Sequence, residues 1–136
     1  MIHVTAGILF HQERILLAQR KSNTSRPLQW ELPGGKTLEN ESLEACLKRE
    51  LFEEFSINAT IGKRFMSHRH RYEDLEITLH AFFIDIFSGT FILHDHHKIA
   101  WIRIPEYANF PISEADLPIL KKLLREFPGP FPPQHQ

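Results

Sequence analysis

The stretch WELPGGKTLENESLEACLKRELFEEFSI, residues 30–57, constrains the fold more than any other part of the chain. Pro33 fixes its own φ, and Gly34 and Gly35 permit dihedrals closed to other residues, so ELPGGK must turn sharply. A helix follows, with Asn40 or Ser42 able to act as N-cap and a periodic run to about Phe55. At about 100° per residue, Leu43, Cys46, Leu47 and Leu51 share one face. Glu50 and Glu54 fall inside the same arc, and Glu53 lies at its edge. Carboxylates that face inward are costly, and neighbouring ones repel. Something positive must sit among them.

Two partners fit that requirement. Glu50 and Glu54 stand one helical turn apart, and carboxylate oxygens at that spacing suit a hard divalent cation, Mg²⁺ or Mn²⁺. The Gly34-Gly35 turn can bring backbone carbonyls into the same pocket, and Lys36 and Arg20 can then meet phosphate groups. From spacing alone, a solvated acidic helix end paired with Lys48 and Arg49 explains the acids equally well.

The 136 residues suffice for one domain with a real core. A net charge of -1 argues against non-specific binding to a nucleic-acid polymer or a membrane. Cys46 has no partner for an internal disulfide, which fits a reducing compartment. The first residues show neither a basic n-region nor a long apolar run, so a cytoplasmic protein is expected. Strands are expected at 2–10 and 14–19 around a turn at His11–Glu13, then at 57–71, 75–87 and 98–104. A second helix is expected over roughly Glu114–Phe127, through Leu117, Leu120, Leu123 and Leu124. This order predicts an α/β chain, a mixed β-sheet sandwiched between α-helices, over a single domain at 1–128. Residues 129–136 read as a proline-rich tail.

The full acidic string is more specific than its spacing. From Gly35 it reads Gly, five residues, Glu41, seven residues, Arg49-Glu50-Leu51, one residue, Glu53-Glu54, one residue, Ser56-Ile57. It resembles the Nudix box, with Ser56 where the family has glycine. That glycine ends the helix, so Ser56 implies a strained left-handed residue or a different exit. The resemblance implies that Glu50, Glu53 and Glu54, with the carbonyl of Gly35, hold Mg²⁺ or Mn²⁺. It implies that Arg49 orients the acids, that Glu41 supports them from behind, and that Glu50, or else Glu53, is the general base. The family hydrolyses nucleoside diphosphates linked to another moiety.

Beyond the box, ILLAQRKSNTSRPLQWELPGGK, SHRHRYEDLEITLHAFF, LHDHHKIAWIRIPE and FPISEADLP resemble the MutT-like and NudG-like branch. There Arg20 and Lys36 would meet the nucleotide, Asp95 would reach the metal in place of a glutamate, and Asp116 would read the base. A carboxylate accepts hydrogen bonds from an amino group and, when protonated, donates one. Capping of the last helix is the other reading of Asp116. The implied activity is hydrolysis of a nucleoside triphosphate to monophosphate and pyrophosphate, on CTP, modified dCTP or 8-oxo-dGTP. A dinucleoside polyphosphate hydrolase is the runner-up, through Tyr72 after the box, and a non-catalytic nucleotide-binding regulator comes third. A monomer or homodimer is expected. His94, His96 and His97 with Asp95 suggest zinc only weakly against this oxygen site. His68, His70, His80, Phe82 and Phe83 either line the nucleotide pocket or pack within the strands.

Overall fold

The computed structural model describes residues 2–127, so the expected tail at 129–136 lies outside the described residues. Eight strands and two α-helices follow in chain order: β1 (Ile2–Ile8), β2 (Phe10–His11), β3 (Arg14–Arg20), β4 (Trp30–Glu31), β5 (Gly34–Lys36), α1 (Leu43–Phe55), β6 (Asn58–Arg71), β7 (Glu76–Ser88), β8 (His96–Ile102) and α2 (Leu117–Glu126). Two 3-10 segments, Ile104–Asn109 and Glu114–Asp116, lie between β8 and α2.

The expected sheet is divided in two. One sheet runs β5-β1-β7-β6, with β1 parallel to β7 and the other pairs antiparallel. A parallel pair needs a long crossover, and the chain from β2 to β6 supplies it. The second sheet is built on β3, where Ile15 pairs with both Phe10 and Ile102, and Ala18 with both Glu31 and Ile99. Side chains alternate across the strands with period two. Ile15, Leu17, Ile77, Leu79 and Ala81 join the core under α2, which contributes Ile119, Leu120 and Leu123. Leu16, Ala18, Phe82 and Ile84 join the opposite core, with Leu47, Leu51 and Phe55 of α1. Strands therefore lie between helices, as the α/β reading expects.

Boundaries shift for local reasons. Gln12 and Glu13 both have positive φ, 51° and 64°, which closes β2 and β3 in a two-residue hairpin turn. Pro105 opens a 3-10 segment, so β8 stops at Ile102 instead of 104. The last helix begins as a 3-10 turn, and its α-helical part starts at Leu117 with Pro118 in the first turn, where a missing N–H costs nothing. Ser42, not Asn40, caps α1, its Oγ accepting from Ala45 N at 3.1 Å. Ser56 ends α1 in the left-handed conformation, φ 59° and ψ 32°, where glycine is easiest.

Candidate active site

The positive charge among the acids is Arg49. Its Nε and Nη2 donate to the two oxygens of Glu41 at 2.7 and 2.9 Å, a bidentate pair. Its Nη1 donates to Glu50 at 2.7 Å and Glu53 at 3.0 Å, and Nη2 also reaches the Lys36 carbonyl at 3.1 Å. Lys48 does not join them; its Nζ donates to the Ala59 carbonyl at 3.0 Å. A solvated helix end is therefore not what forms: the Glu50 side chain is 15% exposed, against 56% for Glu53. The Arg49 guanidinium, helped by the Leu38 N–H, holds the Glu41 carboxyl down at about 2. Burial pushes Glu50 up. Burial, then the charges of Glu50, Glu31 and Asp95, push Glu54 up to about 9.

Glu54 Oε1 is buried and has no hydrogen-bond partner. Gly35 sits in β5 opposite Thr5, and its carbonyl accepts from Thr5 Oγ1 at 3.2 Å and Cys46 Sγ at 3.5 Å. A Cβ at Gly35 would enter the space of the Glu50 carboxylate, so any side chain there would displace that carboxylate. Among the described residues no three His, Cys, Asp or Glu side chains are grouped around a common metal position. Glu50 and Glu53 are instead turned onto Arg49. The donors are nonetheless carboxylate and carbonyl oxygens with one orphaned buried acceptor, the chemistry a hard divalent cation takes.

Glu50, Glu54, Gly35, Lys36, Arg20 and Asp116 all line one cleft of about 580 Å³. Asp95 lies in an adjoining cleft of about 430 Å³, whose wall includes Glu54, Glu31 and Arg20. Arg20 engages three of its five N–H donors: Nε to the Ser25 carbonyl at 2.8 Å, Nη2 to Ser25 Oγ at 3.1 Å, and Nη1 to Glu31 at 3.2 Å. Asp116 is 6% exposed and accepts from the Leu32 N–H at 2.7 Å. It makes no capping bond to α2, so the capping alternative fails. Burial, then the charge of Glu31, pushes its carboxyl up to about 8.

Glu31 and Arg26 were not anticipated. Glu31 accepts from Arg20 and bonds His96 Nε2 at 2.9 Å, standing on the wall between the clefts. The WE step before PGG was the only sequence signal for it. The histidines disperse: His94 Nε2 bonds Ser56 Oγ at 2.9 Å, His96 bonds Glu31, and His97 is exposed. His68 bonds the Ala115 carbonyl, His80 bonds His3 and Ser67, and neither lines the main cleft, nor does His70. Phe82 and Phe83 are core residues.

A family model described as the NUDIX domain matches residues 1–126. The CTP pyrophosphohydrolase of Escherichia coli K12 is 37% identical over 124 residues, covering 91% of this chain and 92% of that protein. An 8-oxo-dGTP diphosphatase of Buchnera aphidicola is 30% identical over 111 residues, covering 80% and 84%. The solution structure of the E. coli ORF135 protein superposes with a TM-score of 0.81 at 38% identity, covering 92% of this chain and 91% of that one. With the box running from β5 through α1 and its Glu50 and Glu54 facing the cleft, the chain belongs to the Nudix family of hydrolases.

Proposed function

We propose that the protein is a Mg²⁺-dependent nucleoside triphosphate pyrophosphohydrolase, releasing monophosphate and pyrophosphate in nucleotide-pool sanitation. The observation that carries this reading is one cleft lined both by Glu54, whose Oε1 is orphaned, and by buried Asp116. Nudix hydrolases generally need divalent metal ions and act on nucleotides. In this reading Glu50, Glu53 and Glu54, the Gly35 carbonyl and Asp95 hold the ion, with Mn²⁺ able to replace Mg²⁺. When bound, the ion neutralises phosphate charge and acidifies the attacking water. Glu50 takes the proton of that water, Glu53 being the second candidate. Arg49 and Glu41 fix where these carboxylates point, and Lys36 meets the phosphates.

Asp116 faces the base. Protonated below about 8, its carboxyl can donate from one oxygen while the other accepts. Cytosine offers an N3 acceptor beside an N4 donor, which suits that pair. The similar proteins named for CTP and for 8-oxo-dGTP support the same two substrate choices. Against a dinucleoside polyphosphate hydrolase, the Tyr72 ring is covered by Arg26 at 4.1 Å. Against a non-catalytic regulator, Glu41, Arg49, Glu50, Glu53 and Glu54 are all present. A cytoplasmic monomer or homodimer is part of this reading.

Pyrophosphate release with Mg²⁺ tests it, on CTP, dCTP, 5-methyl-dCTP, 8-oxo-dGTP, dGTP and a diadenosine polyphosphate. The expected result is highest kcat/KM on a cytidine or 8-oxoguanine triphosphate. Glu53→Gln should keep the fold and lose on the order of 100-fold in kcat, as metal-site changes do. Activity on the dinucleotide alone, or near-wild-type rates for Glu53→Gln at saturating Mg²⁺, would overturn the respective assignment.

A further inference from the structure

The loop between β3 and β4 carries a cation across the cleft. Arg20 grips Ser25 through its carbonyl and hydroxyl, at 2.8 and 3.1 Å, and so fixes the residue just before Arg26. Arg26 and Leu28 both adopt left-handed backbone, φ 51° and 60°, around Pro27, a strained conformation for side chains of their size. The strain is held in place by Leu28 N–H to the Arg20 carbonyl at 3.1 Å and Arg20 N–H to the Gln29 carbonyl at 2.9 Å. Its result is that the Arg26 guanidinium lies 4.1 Å from the Tyr72 ring centroid, with Asp74 at 3.6 Å. Tyr72 is itself anchored, its hydroxyl accepting from the Ala115 N–H at 3.0 Å, one residue before Asp116. Arg26, Tyr72 and Asp116 all line the main cleft.

We infer that Arg26 is a specificity-determining residue at the base end of the cleft: its planar guanidinium, seated on Tyr72, covers the base whose edge Asp116 reads. Arg20, through its two bonds to Ser25, is then also a positioning residue for Arg26. Backbone strain that persists only because several bonds hold it is the kind stored at ligand clamps. A guanidinium backed by an aromatic ring presents a flat, weakly hydrated face, well suited to stack on a heterocycle. The inference rests on the nucleotide reading proposed above.

The test compares wild type with Arg26→Ala, Arg26→Gln, Arg26→Lys and Tyr72→Leu, each confirmed folded by circular dichroism. Steady-state kinetics on one pyrimidine and one purine triphosphate are combined with product inhibition by the monophosphate and by pyrophosphate. Arg26→Ala and Arg26→Gln should raise KM roughly tenfold, the scale of a lost cation–aromatic or stacking contact, and change the pyrimidine-to-purine preference. Monophosphate inhibition should weaken to match, while pyrophosphate inhibition holds. Tyr72→Leu should reproduce the effect, and Arg26→Lys should not rescue it. Unchanged KM and preference, equal weakening of both product inhibitions, or full rescue by lysine would each overturn the inference. Wild type with no turnover of any nucleoside triphosphate would instead overturn the functional reading beneath it.

Discussion

Arg49 lets several carboxylates share the inner face of one helix. Its guanidinium makes two bonds to Glu41 and one each to Glu50 and Glu53, a set that needs the planar fork of arginine. Arg49→Lys should therefore leave Glu50 and Glu53 misdirected, and kcat should fall by on the order of 10-fold or more while circular dichroism stays native. Asp116 offers a second test, through pH. Its carboxyl ionises at 3.8 in the unfolded chain and is pushed to about 8 in the fold. Below 3.8 both states hold the proton, so there is no effect. Between 3.8 and 8 only the unfolded chain releases it, so stability falls as pH rises, and the full penalty is present above 8. Asp116→Asn keeps an acceptor for Leu32 N–H without that penalty, so its melting temperature should fall less than wild type's between pH 5 and 9. Equal slopes would show that Asp116 is ionised in the fold. The inward placement of Glu50 and Glu54 is legible in the sequence because helical period alone turns them to that face. The grip of Arg20 on Ser25 is not, since it depends on a loop that closes back onto its own start. The bond from Asp116 to Leu32 spans 84 positions and leaves no local trace.

Elements long enough to repeat their pattern are legible, and short ones are not. β6, β7 and α1 run 14, 13 and 13 residues, so their periods show. β2 and β4 have two residues each and β5 has three, too few for any period; pairing with β3 and β1 makes them strands. The ELPGGK turn was legible as a turn, yet its second half is also the strand that carries Gly35 to α1. The departure from the box, Ser56, has a consequence at this scale. A non-glycine left-handed residue costs about 1–2 kcal/mol, partly offset here by the bond between Ser56 Oγ and His94 Nε2 at 2.9 Å. Ser56→Gly should thus raise unfolding free energy by about 0.5–1 kcal/mol, read as a higher urea midpoint at unchanged m-value. Gly35→Ala, in β5, should lower kcat, because its methyl group would enter the space of the Glu50 carboxylate and displace it.

At the scale of the whole molecule, the strands are held from both faces, and α1 is pinned by Leu47, Leu51 and Phe55 in one of the two cores. Those apolar residues oblige Glu50 and Glu54 to face inward, since the helix cannot turn without exposing all three. The fold thus holds in place an acid that destabilises it: Glu54 is half-buried, has a buried, orphaned oxygen and faces the charges of Glu50, Glu31 and Asp95. A ligand that binds only the folded state stabilises it by mass action, about 2.7 kcal/mol at a hundred times its dissociation constant. Metal-free protein and protein in Mg²⁺ should therefore differ by several degrees in melting temperature. Glu54→Gln separates the two contributions. Without metal it should melt above wild type near neutral pH, because Glu54 must take up a proton to sit in that pocket, whereas an amide is already neutral and can donate to Glu50. With Mg²⁺ it should gain little, so the order of the two proteins narrows or reverses. A variant that melts below wild type without metal, yet shows the same Mg²⁺ shift, would place the ion away from Glu54.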